Sequence, residues 1–143
     1  MILTGDRAAA DLLARARVIA VLGAQRDAHL PAHYVPDYLH RQGYRILPVN
    51  PTHVGETLWG EPFRAHLGEL AAPVDVVDVF RRAEHLDDHL ADFLALRPGA
   101  VWFQLGIRND RVASALAAAG IDVVQDRCTM ADHRRFRQSG LLP

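Results

Sequence analysis

Val18-Ile19-Ala20-Val21-Leu22 is an unbroken apolar run that stops at Gly23. Its length suits a buried strand and falls far short of the roughly 20 apolar residues a membrane helix needs. Glycine accepts backbone angles closed to other residues, so the chain can turn sharply at Gly23. A helical pattern follows in Val35, Tyr38 and Leu39 and stops at Gly43. Strand, glycine turn and helix is how nucleotide-binding α/β domains begin, with amides of the turn and helix N-terminus meeting a phosphate. Gly23-Ala24-Gln25-Arg26 is therefore the expected anion-binding turn. The fingerprint G-x-G-x-x-G is missing after its first glycine, because Ala24, Gln25, Arg26, Asp27 and Ala28 follow.

The rest of the chain repeats the alternation. Thr4 is the expected N-cap of a helix carrying Ala9, Leu12, Leu13 and Ala16. Pro36 is expected in the first turn of the second helix, where a missing N–H costs nothing. Arg45 to Val49 reads as the second strand, closed by Asn50-Pro51. Residues 52–73 are loop-rich, with a single helical turn expected from Leu67 to Leu70. Val74 to Phe80 reads as the third strand, and Leu86, Leu90, Phe93 and Leu94 mark a helix that Pro98-Gly99 ends. Ala100 to Gln104 is a strand broken at Gly106. Asn109 can cap a helix through Val112, Leu116 and Ala119, with Gly120 at its stop. Ile121 to Val124 is the last strand, and Asp126 to Phe136 the closing helix. This order implies right-handed crossovers and a Rossmann-like three-layer α/β domain with a mostly parallel sheet. With 143 residues, half of them hydrophobic, residues 1–143 are expected to form one domain.

Ligands of such sheets bind outside the carboxyl ends of the strands. That rule selects Gly23 to Arg26, Asn50-Pro51, Phe80 to Arg82 and Gln104 to Asn109. Arg26, Arg81-Arg82 and Arg108 fall there; each is either a phosphate clamp or an ordinary surface charge. An NAD site wants a carboxylate about 20 residues past the glycine turn. That place holds Val49-Asn50-Pro51-Thr52, which disfavours NAD. Asn50 can hydrogen-bond a ribose or base, or simply start the turn that Pro51 enforces.

Other features bound the reading. Sixteen basic against seventeen acidic residues give a net charge of -1, so neither a nucleic acid nor an anionic membrane is an expected partner. Asp6, Arg7, Asp11 and Arg15 interrupt the N-terminal stretch, unlike a secretory signal. The single cysteine, Cys128, cannot form an internal disulfide, which fits the cytoplasm. His85 and His89 have a zinc-compatible spacing, but Asp87 and Asp88 stand where a zinc protease needs its Glu, so no metal is expected. Asp78, inside an apolar strand, must either accept hydrogen bonds or face the crevice, and the structural role is preferred. Cys128 follows Arg127 at a helix start, a setting that favours thiolate.

Taken together, Val18 to Ala24, Gly43 to Pro51, Val74 to Arg82, Val101 to Asn109 and Asp126-Arg127-Cys128 closely resemble the small bacterial and archaeal CoA-binding proteins. These are single Rossmann-like domains similar to the N-terminal CoA-binding domain of the succinyl-CoA synthetase alpha subunit. The resemblance runs from about residue 16 to 136. It implies coenzyme A or an acyl-CoA as ligand, with Gly23, Ala24, Gln25 and Arg26 holding phosphates of its ADP half. It further implies that Val49, Asn50 and Pro51 line the nucleotide pocket and that Val79, Phe80, Arg81 and Arg82 flank adenine or phosphates. Gln104, Leu105 and Gly106, with Ile107 and Asn109 beside them, would border the pantetheine arm. A 3′-phosphate on the ribose would also account for the missing carboxylate. The synthetases' phosphohistidine and ligase domains are absent from this chain, so binding without catalysis is the leading expectation. The alternatives are an accessory or separately encoded subunit of an acyl-CoA synthetase or transferase, and an NAD-linked redox regulator. A homo-oligomer is compatible with any of these.

Overall fold

The computed structural model of the chain describes residues 1–71 and 73–143. Along it run α1 (Gly5–Arg15), β1 (Val18–Leu22), α2 (Pro31–Arg41), β2 (Arg45–Val49), β3 (Thr57–Leu58) and β4 (Glu61–Pro62). Then come β5 (Val76–Val79), α3 (Leu86–Leu96), β6 (Ala100–Phe103), α4 (Asp110–Ala118), β7 (Asp122–Val124) and α5 (Thr129–Ser139). Five strands pair in parallel in the order β2-β1-β5-β6-β7. β3 and β4 form a small antiparallel hairpin in the loop-rich stretch.

Side chains alternate across a strand, so β1 sends Ile19 and Val21 to one face and Ala20 and Leu22 to the other. Both faces are covered. Leu12 and Leu13 of α1, Leu39 of α2 and Phe136 of α5 pack on the first, with Trp102. Phe93 of α3 and Val112 and Leu116 of α4 pack on the second, with Val77 and Phe103. The result is a three-layer Rossmann-like domain, and it explains why the strands read as solid apolar runs rather than alternating ones.

The sheet edges carry an extra rung each. Ile2 pairs with Val123 and Arg64 with Val49. The Leu3 amide donates to Val123 at 2.8 Å and the Asn50 amide to Arg64 at 2.9 Å. Edge backbone that would otherwise be open to pairing is thereby satisfied.

β1 and β2 occupy the residues read as strands from sequence. The third strand is shorter than the run Val74 to Phe80, and α5 starts at Thr129 rather than Asp126. Pro36 is not in the first turn of α2: Pro31 takes that place, and Pro36 lies inside the helix. A proline there leaves the carbonyl four residues earlier, Ala32, without its helical donor. The Gln25 amide takes that acceptor, at 3.2 Å. The order of strands reverses between β2 and β5, which lie on opposite sides of β1, so the crevice belongs at the ends of β1 and β5.

Candidate functional site

At the end of β1 the backbone of Gly23 takes φ 89°. A Cβ on it would stand 2.8 Å from the Phe80 carbonyl oxygen, so the close approach of the β5 end demands glycine. The amides of the turn differ from the sequence expectation. Gly23 and Ala24 donate to the Val49 carbonyl at 2.9 and 3.3 Å, and Gln25 donates to Ala32. These groups knit β1 to β2 and α2 rather than facing an anion.

Asn50 does the same work from the other side. Its side-chain oxygen accepts from the Thr52 amide at 3.0 Å, and its Nδ2 donates to the Ala24 carbonyl at 2.9 Å. Of its two sequence-derived roles, starting the turn is realised in the structure. Asn50→Ala removes both bonds and leaves the Ala24 carbonyl without this donor. A loss of about 2 kcal/mol is expected, read from the urea midpoint.

Two cavities open at the carboxyl ends of the strands and share a wall of Gly23, Gln25, Phe80 and Arg81. The smaller, about 230 Å³, adds Val49, Asn50, Pro51, Thr52, His66 and His89. The larger, about 700 Å³, adds Arg82, Gln104, Leu105, Gly106, Ile107 and Cys128. The fold thus gathers twelve of the sequence-derived site residues around one crevice. Four others line neither cavity. Ala24 and Val79 are wholly buried in the core. Arg26 is turned to Glu56 at 3.2 Å and to the Thr57 carbonyl at 2.9 Å. Asn109 caps α4, accepting from Val112 at 3.0 Å.

Behind the larger cavity lies a buried polar cluster. Gln104 Nε2 donates to Asp78 and, at 2.9 Å, to Thr129 Oγ1, while the Thr129 hydroxyl donates to Asp78 at 3.0 Å. Asp78 is fully buried. Burial pushes its carboxyl up to about 7, and the bonds from Gln104 and Thr129 offset this only in part. It does not face the crevice. The loop lining the cavity is fastened by Asp126, whose φ of 56° aims its Oδ1 at the Gly106 amide, 2.6 Å away. Cys128 borders the cavity at the start of α5, but the guanidinium of Arg127 is held by Asp6 and Asp132, each at 2.6 Å.

His89 has a buried Nε2 with no partner among the described residues, and burial lowers its basicity. Among the described residues no group of three His, Cys, Asp or Glu side chains is placed to hold a metal ion. Nor is any described helix long and apolar enough to cross a membrane. The first turn of α2 (Leu30, Tyr34, Val35) and Met130 of α5 also line the larger cavity, and sequence reasoning does not single them out for it. Their signal is topological: the helix after β1 crosses back over the sheet beside the turn it leaves.

Residues 17–134 match a family model described as a CoA binding domain. YneT of Bacillus subtilis (strain 168), an uncharacterized protein, is 34% identical over 123 residues, which are 86% of this chain and 90% of YneT. A solved Thermus thermophilus structure is 54% identical with a TM-score of 0.89, covering 92% of this chain and 98% of that one. A hypothetical protein of Pyrococcus horikoshii OT3 superposes with a TM-score of 0.85 at 27% identity, over 92% of each chain. The fold also recurs in a dinucleotide-forming acetyl-coenzyme A synthetase of Ca. Korarchaeum cryptofilum, at 16% identity and a TM-score of 0.68. That match covers 79% of this chain and 26% of the synthetase.

Proposed function

The chain belongs to the CoA binding domain family, and from that premise we propose that it binds coenzyme A or an acyl-CoA in the cytoplasm, without catalysis of its own. The observation that carries this reading is the pair of unequal cavities meeting at one wall. CoA is unequal in the same way, a phosphorylated adenosine joined to a long slender arm. The adenosine fits the smaller cavity beside Val49, Asn50, Pro51 and Thr52. The arm runs along Gln104, Leu105, Gly106 and Ile107, and the diphosphate crosses the shared wall near Arg81 and Arg82. Asn50 is neutral where an NAD site would carry its carboxylate, and the one acid lining the smaller cavity among the described residues is Asp92 of α3.

Calorimetric titration at fixed salt with CoA, acetyl-CoA, NAD and ADP tests the proposal. Micromolar or tighter CoA binding, with weaker NAD and ADP, is the expected result. Equal affinity for CoA and its 3′-dephospho form would remove the claim that the site reads that phosphate, and a preference for NAD would overturn the reading. Arg81→Ala is expected to weaken CoA binding by about 2 kcal/mol, roughly 30-fold. Arg26→Ala should do less, because Arg26 already has Glu56 and Thr57 as partners.

A further inference from the structure

The walls of the larger cavity are not uniform. Its charged lining, Arg81, Arg82 and Glu84, comes from the one segment that leaves β5. Much of the remainder is apolar, and three further elements supply its large side chains besides Phe80. The start of α2 gives Leu30, Tyr34 and Val35, the loop after β6 gives Leu105 and Ile107, and the first turn of α5 gives Met130. Leu30, Tyr34 and Leu105 are exposed by 40%, 41% and 71%, half of the large hydrophobic side chains that the described structure leaves exposed. Surface apolar groups scattered singly need no explanation, but a set gathered round one cavity marks a binding surface.

A free pantetheine arm placed along Leu105 and Ile107 does not account for the part of this wall that α2 and α5 supply. It carries two amides and a hydroxyl, ends in a small thiol, and needs polar partners along most of its length. We infer that the larger cavity takes the acyl group of a medium-chain acyl thioester, the apolar chain lying against Leu30, Tyr34 and Met130 beyond the end of the arm. The inference rests on the CoA reading and narrows it from CoA in general to CoA carrying an apolar acyl chain. The cavity volume, about 700 Å³, is that of sites that enclose whole drug-sized ligands. Continuity supports the choice of occupant: Leu105 and Ile107 of the cavity lining stand in the same loop as Gln104 and Gly106, along which the arm is placed.

The test is a chain-length series in the titration calorimeter: CoA, acetyl-CoA, butyryl-CoA, hexanoyl-CoA and octanoyl-CoA at one salt concentration, below micelle-forming levels. Each fully buried methylene is worth up to about fourfold in affinity. Octanoyl-CoA is therefore expected to bind at least about tenfold tighter than CoA. Leu30→Ser is expected to cut the octanoyl-to-CoA affinity ratio by about threefold or more. The variant keeps the fold, since Leu30 is the N-cap of α2 with no side-chain cap bond and serine is a preferred residue there. A flat series with intact CoA binding overturns this inference and leaves the CoA reading standing. A flat series accompanied by sedimentation as a dimer assigns the apolar wall to a second copy and overturns it equally. Failure of every thioester and of CoA itself overturns the reading beneath it.

Discussion

Gly23→Ala is expected to lower stability by roughly 3 kcal/mol or more, with loss of the crevice as its second effect. The usual sign of such a change is the opposite, because alanine narrows the unfolded ensemble and stabilises by about 0.4–1 kcal/mol where its backbone is compatible. Here two costs oppose that gain. At φ 89° an L side chain is strained, and the new Cβ would sit 2.8 Å from the Phe80 carbonyl. That oxygen is backbone of the segment leaving β5, whose amide is itself bonded to Leu22, so it cannot swing aside as a side-chain tip would. Gly120 separates the two costs: it has φ 83° with nothing within 4 Å of the place a Cβ would take, so alanine there carries the strain alone. Urea unfolding of both variants should give a loss near 1 kcal/mol at Gly120 and clearly more at Gly23. Similar losses at the two sites would show that the contact with Phe80 is not what requires the glycine.

The second large effect belongs to Asp78. Its carboxyl titrates at about 7 in the fold against an ordinary value of 3.8, because burial disfavours the ionised form. Below 3.8 both folded and unfolded chains hold the proton, and Asp78 costs nothing. Between 3.8 and 7 the unfolded chain releases its proton while the folded chain keeps it, so stability falls as pH rises. Above 7 both are ionised and the loss levels off, on the order of 4 kcal/mol. Asp78→Asn is neutral throughout and retains an oxygen to accept from Thr129 or Gln104. Relative to wild type it should gain stability steadily from about pH 4 to about pH 7 and then hold a constant advantage. Unfolding free energies measured across that range decide it, and a wild-type-minus-variant difference that stays flat would rule out the buried acid as the source.

How far the sequence discloses this depends on how local the cause is. β1 and β2 are runs of apolar residues whose neighbours in sequence already fix them, and their bounds are legible to the residue. Asn109 is readable as a cap because the acceptor and the Val112 amide lie three residues apart. The start of α5 is not. Asp126 looks like a helix-starting residue, yet the Gly106 amide, twenty positions away, draws it into a left-handed turn and delays the helix to Thr129. Arg26 shows the same limit. Its place after the glycine turn suggests a phosphate, but the partners that hold it lie in the hairpin stretch around Glu56 and Thr57, whose two-residue strands are too short to leave a periodic pattern. The cavities as such are beyond sequence reading, since they are made where Phe80, Gln25 and the first turn of α2 meet, and only the strand order brings them together.

Pro36 has a consequence for motion. The helical carbonyl it leaves free is the one the Gln25 amide holds, and the Gln25 carbonyl in turn meets His33 Nδ1 at 2.8 Å. The rim of the crevice is thereby stitched to α2 by both of its main-chain groups. Rim and helix must loosen as a single cooperative unit, whose opening costs the helix its own order. An irregularity in one helix thus sets the stiffness of the wall against which a ligand would close.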